Sequence, residues 1–149
     1  MSAGAEKLTW KWLKGAQTDS SDFGDPANAS TAYSLCVYAD TTLIMEMQVP
    51  PQGTCDGHPC WKQTAHGFKY KDRTLSNDGA RVLFLKSGAQ GSAKVVVKGA
   101  GGALPLPPIP PSGLTLPVRV QLQNNTPDCW SAIFSGPQIN GPDVFKAKQ

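Results

Sequence analysis

The chain predicts an all-β fold: an antiparallel β-sandwich, jelly-roll or immunoglobulin-like, of about eight strands reinforced by disulfides. Three observations lead there. Apolar and polar residues alternate at period two in short segments, the spacing that puts every second side chain on one face of a pleated strand. Gly and Pro, 15 and 13 of 149 residues, fall between those segments as turn punctuation. No stretch carries the period of an amphipathic helix.

The first strand is expected over Leu8–Leu13, with Leu8, Trp10 and Trp12 on one face and Thr9 and Lys11 on the other. A polar loop from Gly15 to Ser30 has no apolar period. Thr31–Ala39 follows, with Tyr33, Leu35 and Val37 inward and Ser34, Cys36 and Tyr38 outward. Asp40-Thr41 reads as a hairpin connection. In Thr42–Val49, Leu43, Met45, Met47 and Val49 share the inner face. Pro50-Pro51-Gln52-Gly53 ends that strand, because proline cannot donate to a ladder. Cys55-Asp56-Gly57-His58-Pro59-Cys60 is a compact turn. Trp61–Lys71 holds a fourth strand with Phe68 and Tyr70 facing the core. Arg81–Lys86 and Ala93–Lys98 form a hairpin.

Gly99–Gly113 differs in kind. Pro105, Pro107, Pro108, Pro110 and Pro111 alternate with Leu104, Leu106 and Ile109, which favours extended polyproline geometry and excludes a central strand. It reads as a crossover packing its apolar residues inward, against the alternative of a ligand for a proline-recognising domain. Leu116–Gln123 and Cys129–Ser135 complete the strands, the latter with Trp130, Ala132 and Phe134 inward. A single domain is expected over residues 7–136, with 1–6 and 137–149 as flexible or loosely docked termini, Val144 and Phe145 being the residues able to dock. A chain of this length buries a core without help from disulfides.

A net charge of +3, with lysines spread along strands as on solvated outer faces, is not the clustered stripe of a nucleic-acid binder. No run of 18 apolar residues is present to span a membrane as a helix. The four cysteines, Cys36, Cys55, Cys60 and Cys129, point to an oxidising compartment and a secreted or cell-surface location. Met1–Glu6 lack the apolar core of a signal peptide. The chain is therefore expected to be a mature or excised form; free thiols in a reducing cytosol are the alternative.

Cys55 and Cys60 flank a turn, so a bridge between them is easy. Cys36 and Cys129 remain, both opposite their strands' apolar faces, and would bridge if those strands were neighbours. This is one of three connectivities. A zinc site is disfavoured, because C-x4-C is not a zinc-ribbon spacing and the other cysteines lack a CxxC partner.

The chain resembles a known module. The residues that carry the likeness are Leu8-Thr9-Trp10-Lys11-Trp12, Phe23-Gly24-Asp25-Pro26, Leu35-Cys36-Val37-Tyr38, Gly53-Thr54-Cys55 with Pro59-Cys60-Trp61-Lys62, Gly67-Phe68-Lys69-Tyr70-Lys71-Asp72, and Cys129-Trp130. They resemble a cysteine-containing, β-rich module that recurs near the C-terminus of large exported bacterial proteins. The likeness covers residues 7–136. It implies export and an accessory position beside other domains, and no activity. It does not extend to His58.

Catalytic patterns are absent from the sequence. His58 and His66 are the two histidines, Glu6 and Glu46 the two glutamates, and no Gly-x-Ser-x-Gly or His-Glu-x-x-His occurs. His58 lies in the cysteine-closed loop with Asp56 near, although a lone loop histidine is more often a solvated turn residue; an enzyme would need His58 or His66 in a concave site with converging carboxylates. Asp19, Asp22 and Asp25 set oxygen donors at the close spacing calcium uses, though aspartates also serve turns. Trp10, Trp12 and Trp130 fall on inner faces. Tyr38 and Trp61, with Tyr70 or His58, are the candidate platform on which a sugar ring could stack. The expected function is thus a non-catalytic accessory module of an exported bacterial protein, carbohydrate-binding, with polysaccharide and neighbouring domains as partners. A structural or adhesive spacer is the alternative, and a metal-dependent enzyme acting on polysaccharide the third reading.

Overall fold

The period-two segments fold as two antiparallel sheets whose inner faces share one apolar core. The computed structural model describes residues 5–126 and 128–148; residues 1–4, 127 and 149, which include part of the expected termini, lie outside it. In chain order the elements are β1 (Lys7–Gly15), a 3-10 turn (Ser20–Phe23), β2 (Tyr33–Ala39), β3 (Thr42–Val49), β4 (Thr54–Cys55), β5 (His58–Pro59), β6 (Trp61–Thr64), β7 (Gly67–Lys71), β8 (Ala80–Lys86), β9 (Ala93–Ala100), β10 (Val118–Asn124), β11 (Cys129–Phe134), β12 (Ile139–Asn140) and β13 (Phe145–Lys146). One sheet runs β1-β9-β8-β7-β6 and the other β11-β10-β2-β3, with β4-β5 and β12-β13 as separate two-stranded ribbons.

Alternation places the core. Trp10 lies opposite Val97, and Val97 opposite Leu83, all buried. Across the sandwich, Leu35 lies opposite Leu122 and Met47 on the inner face. Trp12 is half-buried, and its ring lies over Gly15, where a Cβ would come within 2.2 Å of the indole. Any larger residue there would displace the ring.

Two expectations change, and one alternative is chosen. Trp61–Lys71 is not one strand but the hairpin β6-β7, with Trp61 opposite Tyr70. The turn at Ala65-His66 lacks the Gly-containing signature of a tight hairpin and so escapes a sequence reading. In β3, Val37 pairs with Met45 and Tyr38 with Leu43, so Ile44 is an extra residue in a bulge. The bulge flips the face: Ile44 packs against the core and Leu43 is 46% exposed. The segment after Pro137 takes the docked alternative, through Phe145. Asn140 Oδ1 accepts from the Leu114 N–H at 2.6 Å, its Nδ2 donates to the Leu114 carbonyl at 3.0 Å, and Phe145 packs against the core.

The proline-rich segment is the expected crossover, carrying the chain from β9 in one sheet to β10 in the other. Leu104 is buried, and Leu106 and Leu114 pack against the core.

Between the sheets runs a row of rings. Phe23 lies 5.2 Å from Trp130, Trp130 6.3 Å from Tyr33, Tyr33 5.6 Å from Trp61, and Trp61 5.2 Å from Tyr70. Trp130 and Tyr33 belong to the four-stranded sheet, Trp61 and Tyr70 to the five-stranded one. These spacings are those of favourable tilted, stacked and edge contacts, worth about 0.5–1.5 kcal/mol each beyond the area buried. Trp61→Ala is expected to cost about 3–5 kcal/mol, whereas Tyr38→Ala, on an outer face, should stay within about 1 kcal/mol. Denaturant unfolding of the two variants checks this; equal losses would contradict the assignment of faces.

Candidate functional site

The four residues of the expected platform form no shared exposed surface: Trp61 and Tyr70 pack together inside the sandwich, apart from Tyr38 and His58. Trp61 is buried, and its Nε1 donates to the Pro50 carbonyl at 2.9 Å. Tyr70 is fully buried beside it. Both are withdrawn from the surface because β6 and β7 turn their alternate residues onto the inner face. Tyr38 remains half-exposed on the outer face of the four-stranded sheet, between Arg119 and Leu43 in register. His58 is exposed on the β4-β5 ribbon, where it lies opposite Cys55. Asp56 and Gly57 turn that ribbon with φ of 51° and 77°, the positive-φ pair that a tight hairpin demands.

The Cys55–Cys60 disulfide is formed. The Cys36–Cys129 bridge is not, and both thiols are free. Both residues stand on the outer face, as alternation indicates. However, β10 lies between their strands, with Gln121 opposite Cys36 and Gln123 opposite Cys129. Two strand spacings, about 9.6 Å, exceed the reach of a disulfide. Sequence can match faces but not strand order, and here the order decides. Cys36 is buried beneath its neighbours: Gln123 Nε2 lies 3.8 Å from its Sγ. Burial pushes the Cys36 thiol pKa up, and the Glu46 carboxylate opposite raises it further. Cys129 is exposed on β11, at the sheet's edge.

The aspartates singled out for calcium do not converge. Asp22 Oδ2 accepts from the Asp19 N–H at 2.8 Å, and Asp25 Oδ1 from the Asn28 N–H at 2.9 Å. Both carboxylates are occupied in shaping the loop. Among the described residues no group of three or more His, Cys, Asp or Glu side chains is arranged to hold a metal ion.

The most elaborate polar constellations are internal. Asp72 is fully buried at the end of β7. Its Oδ1 accepts from the Thr74 N–H at 2.9 Å and the Thr74 hydroxyl at 2.6 Å; its Oδ2 accepts from the Ser76 N–H at 2.9 Å and the Ser76 hydroxyl at 2.6 Å. Burial alone would raise its pKa, but the donors from Ser76 and Thr74 outweigh it and hold the carboxyl at about 2. Tyr70, whose hydroxyl accepts from Asn77 Nδ2 at 2.9 Å, is pushed by burial to about 12. Asn124 repeats the device at the end of β10. Its Oδ1 accepts from the Thr126 N–H and hydroxyl and the Asp128 N–H, and its Nδ2 donates to the Asp22 carbonyl at 3.0 Å. The spacings Asp72-x-Thr74-x-Ser76 and Asn124-x-Thr126-x-Asp128 are a signal for such buried loop caps that a sequence reading passes over.

Two open grooves lie among the described residues. A groove of about 240 Å³ is lined by Ser20, Asp25 and Gln63 among others, and one of about 420 Å³ by Ser34, Gln48, Asn77 and Asp78 among others. Neither is lined by His58 or His66. The broad surfaces are the two outer sheet faces. On the four-stranded sheet, Ile133, Arg119, Tyr38 and Leu43 form one cross-strand row and Ser131, Gln121, Cys36 and Glu46 the next. The five-stranded sheet is dominated by lysine. Comparison of the chain with family models, with curated proteins and with solved structures finds no match.

Two outcomes follow from this chemistry. Asp72 is depressed from 3.8 to about 2. The stability it contributes, on the order of 2 kcal/mol, is fully present above pH 4 and lost as pH falls from 3.8 towards 2. Melting measured from pH 5 to pH 2 should show that loss, and Asp72→Asn should flatten it. Thiol titration of the unfolded, unreduced chain should find two free thiols; in the folded chain Cys129 should react first and Cys36 only slowly. Finding none would restore the second bridge.

Proposed function

We propose that this chain is a non-catalytic accessory module of an exported bacterial protein, and that it holds polysaccharide against a flat sheet face. The observation that supports this reading is where the polar chemistry is spent. Asp72, Asn124, Asp22 and Asp25 are committed to backbone groups of their own loops. Neither histidine lines either of the two grooves described above. The broadest surfaces are the two outer sheet faces, which suit an extended polymer better than a small substrate. The Cys55–Cys60 bridge supports an oxidising location, and the resemblance carried by Cys55, Cys60-Trp61 and Cys129-Trp130 supports the accessory position.

A structural or adhesive spacer is the second reading. The burial of Trp61 and Tyr70 favours it, since it removes the paired rings on which a neutral sugar stacks. Retention of the chain on a panel of neutral and acidic polysaccharides separates the two. Retention on at least one polymer, with no release of reducing ends, supports the binding module. Retention on none supports the spacer, and release of reducing ends would establish an enzyme.

A further inference from the structure

The outer face of the five-stranded sheet collects charge that the linear sequence disperses. Its cross-strand rows read Lys71–Val82–Lys98–Thr9, then Lys62–Lys69–Phe84–Val96–Lys11, then Thr64–Gly67–Lys86–Lys94; Lys7 extends β1 on the same face. Eight lysines drawn from all five strands thus share one surface, and no aspartate or glutamate stands among them. The chain has 14 cationic and 11 acidic residues in all. The rest of the molecule is left with six cations against eleven acids, a net −5 beside a face of +8.

The arrangement works against the fold. Lys62 lies directly opposite Lys69, and Lys86 directly opposite Lys94. Like charges directly opposite one another across a ladder are destabilising. A sheet selected only for stability would set glutamates there. Lys94 finds partial relief over the Phe84 ring, 5.6 Å from its centroid. A polyanion laid on the face would relieve all eight.

We infer that this face binds an acidic polysaccharide, a glycan bearing carboxylate or sulfate groups. The inference rests on the glycan-binding reading above and names its ligand class and surface. Charge complementarity fixes the sign of the ligand, and the face's composition selects among polyanions. Single-stranded nucleic acids are held by stacking bases on free rings as well as by phosphate contacts, and the one ring here lies beneath an ammonium group. Membrane-surface elements press apolar side chains below the headgroups; Val82, Phe84 and Val96 lie among the lysines, and none is an exposed large apolar residue. Lysines on flexible stems over a flat sheet give charge recognition tolerant of sugar identity. A disulfide-bearing chain works where extracellular glycans are met.

The experiment measures binding of the whole chain to polygalacturonate and to dextran sulfate, with dextran, phosphatidylglycerol vesicles and a single-stranded oligonucleotide as comparators. The two acidic glycans separate carboxylate from sulfate as the recognised group. Binding to at least one of them, absent on dextran and weakening linearly in log affinity with log salt, is the expected result. The variant is K69E/K86E, which converts both opposed lysine pairs into opposite-charge pairs. Its melting temperature should equal or exceed the parent's, while affinity falls at least 25-fold, at about fivefold for each lysine lost beside an anionic surface. K69Q/K86Q, free of any new charge, should fall between. Unchanged affinity in both variants overturns the assignment of the face. Tighter binding to vesicles or oligonucleotide than to either acidic glycan overturns the ligand class. Retention on dextran that survives K69E/K86E overturns this inference while leaving the glycan-binding module standing, and binding to no polysaccharide defeats both.

Discussion

The row of rings from Phe23 to Tyr70 is the contact on which the sandwich depends. It joins the two sheets and also the segments that alternation alone does not place. Phe23 brings in the 3-10 turn, and the Tyr33 hydroxyl fastens that turn by donating to the Phe23 carbonyl at 2.7 Å. At the other end Tyr70 sits with its hydroxyl 3.9 Å from Cys55 Sγ, so the disulfide ribbon abuts the same row. Trp130 Nε1 donates to the Thr18 hydroxyl at 3.4 Å, and Thr18 exchanges two backbone bonds with Gly88. A long polar loop without apolar period is thereby held at Thr18 and Phe23 by groups belonging to the core.

The polar interior follows from the same packing. Two buried loop caps, on Asp72 and Asn124, lie next to the hydroxyls of Tyr70 and Tyr33: Tyr70 donates to Asp72 at 3.4 Å, and Asn124 donates to Tyr33 at 3.4 Å. Each tyrosine thus has an apolar body in the ring row and a polar tip in a loop cap. Burying a carboxylate or an amide is costly unless each lone pair finds a donor, and here the loop residues two and four positions on supply them. That is why these side chains are unavailable for chemistry.

The fold class and most strand faces were legible because period two is a local property. Trp10, Trp130, Leu35 and Val120 lie where alternation puts them. The site was less legible, for three physical reasons. Strand order is non-local, so Cys36 and Cys129 could be matched by face while β10 stood between them. A bulge shifts the period by one residue without a residue type of its own, which is how Leu43 and Ile44 exchanged faces. A hairpin turn without glycine concealed the break between β6 and β7 and left Trp61 looking like a surface ring. The lysine face shows the same limit from the other side. Each strand's outward lysines are ordinary alone, and only pairing in register brings them together.

The bulge at Ile44 matters also for how the chain behaves in a crowd of its own copies. β3 ends its sheet, so one side of its backbone is left unpaired by the ladder. A long, regular edge of that kind is a template for another strand. An inserted residue breaks the regular spacing of amide and carbonyl groups and increases the local twist, so an approaching strand meets a ladder it cannot follow past Ile44. Of the other three edge strands, β6 is blunted differently, having four residues and ending in the turn to β7, and β1 is interrupted by a register shift between Trp12 and Gly15. At β3 the regular edge is thus broken at the cost of one residue out of step.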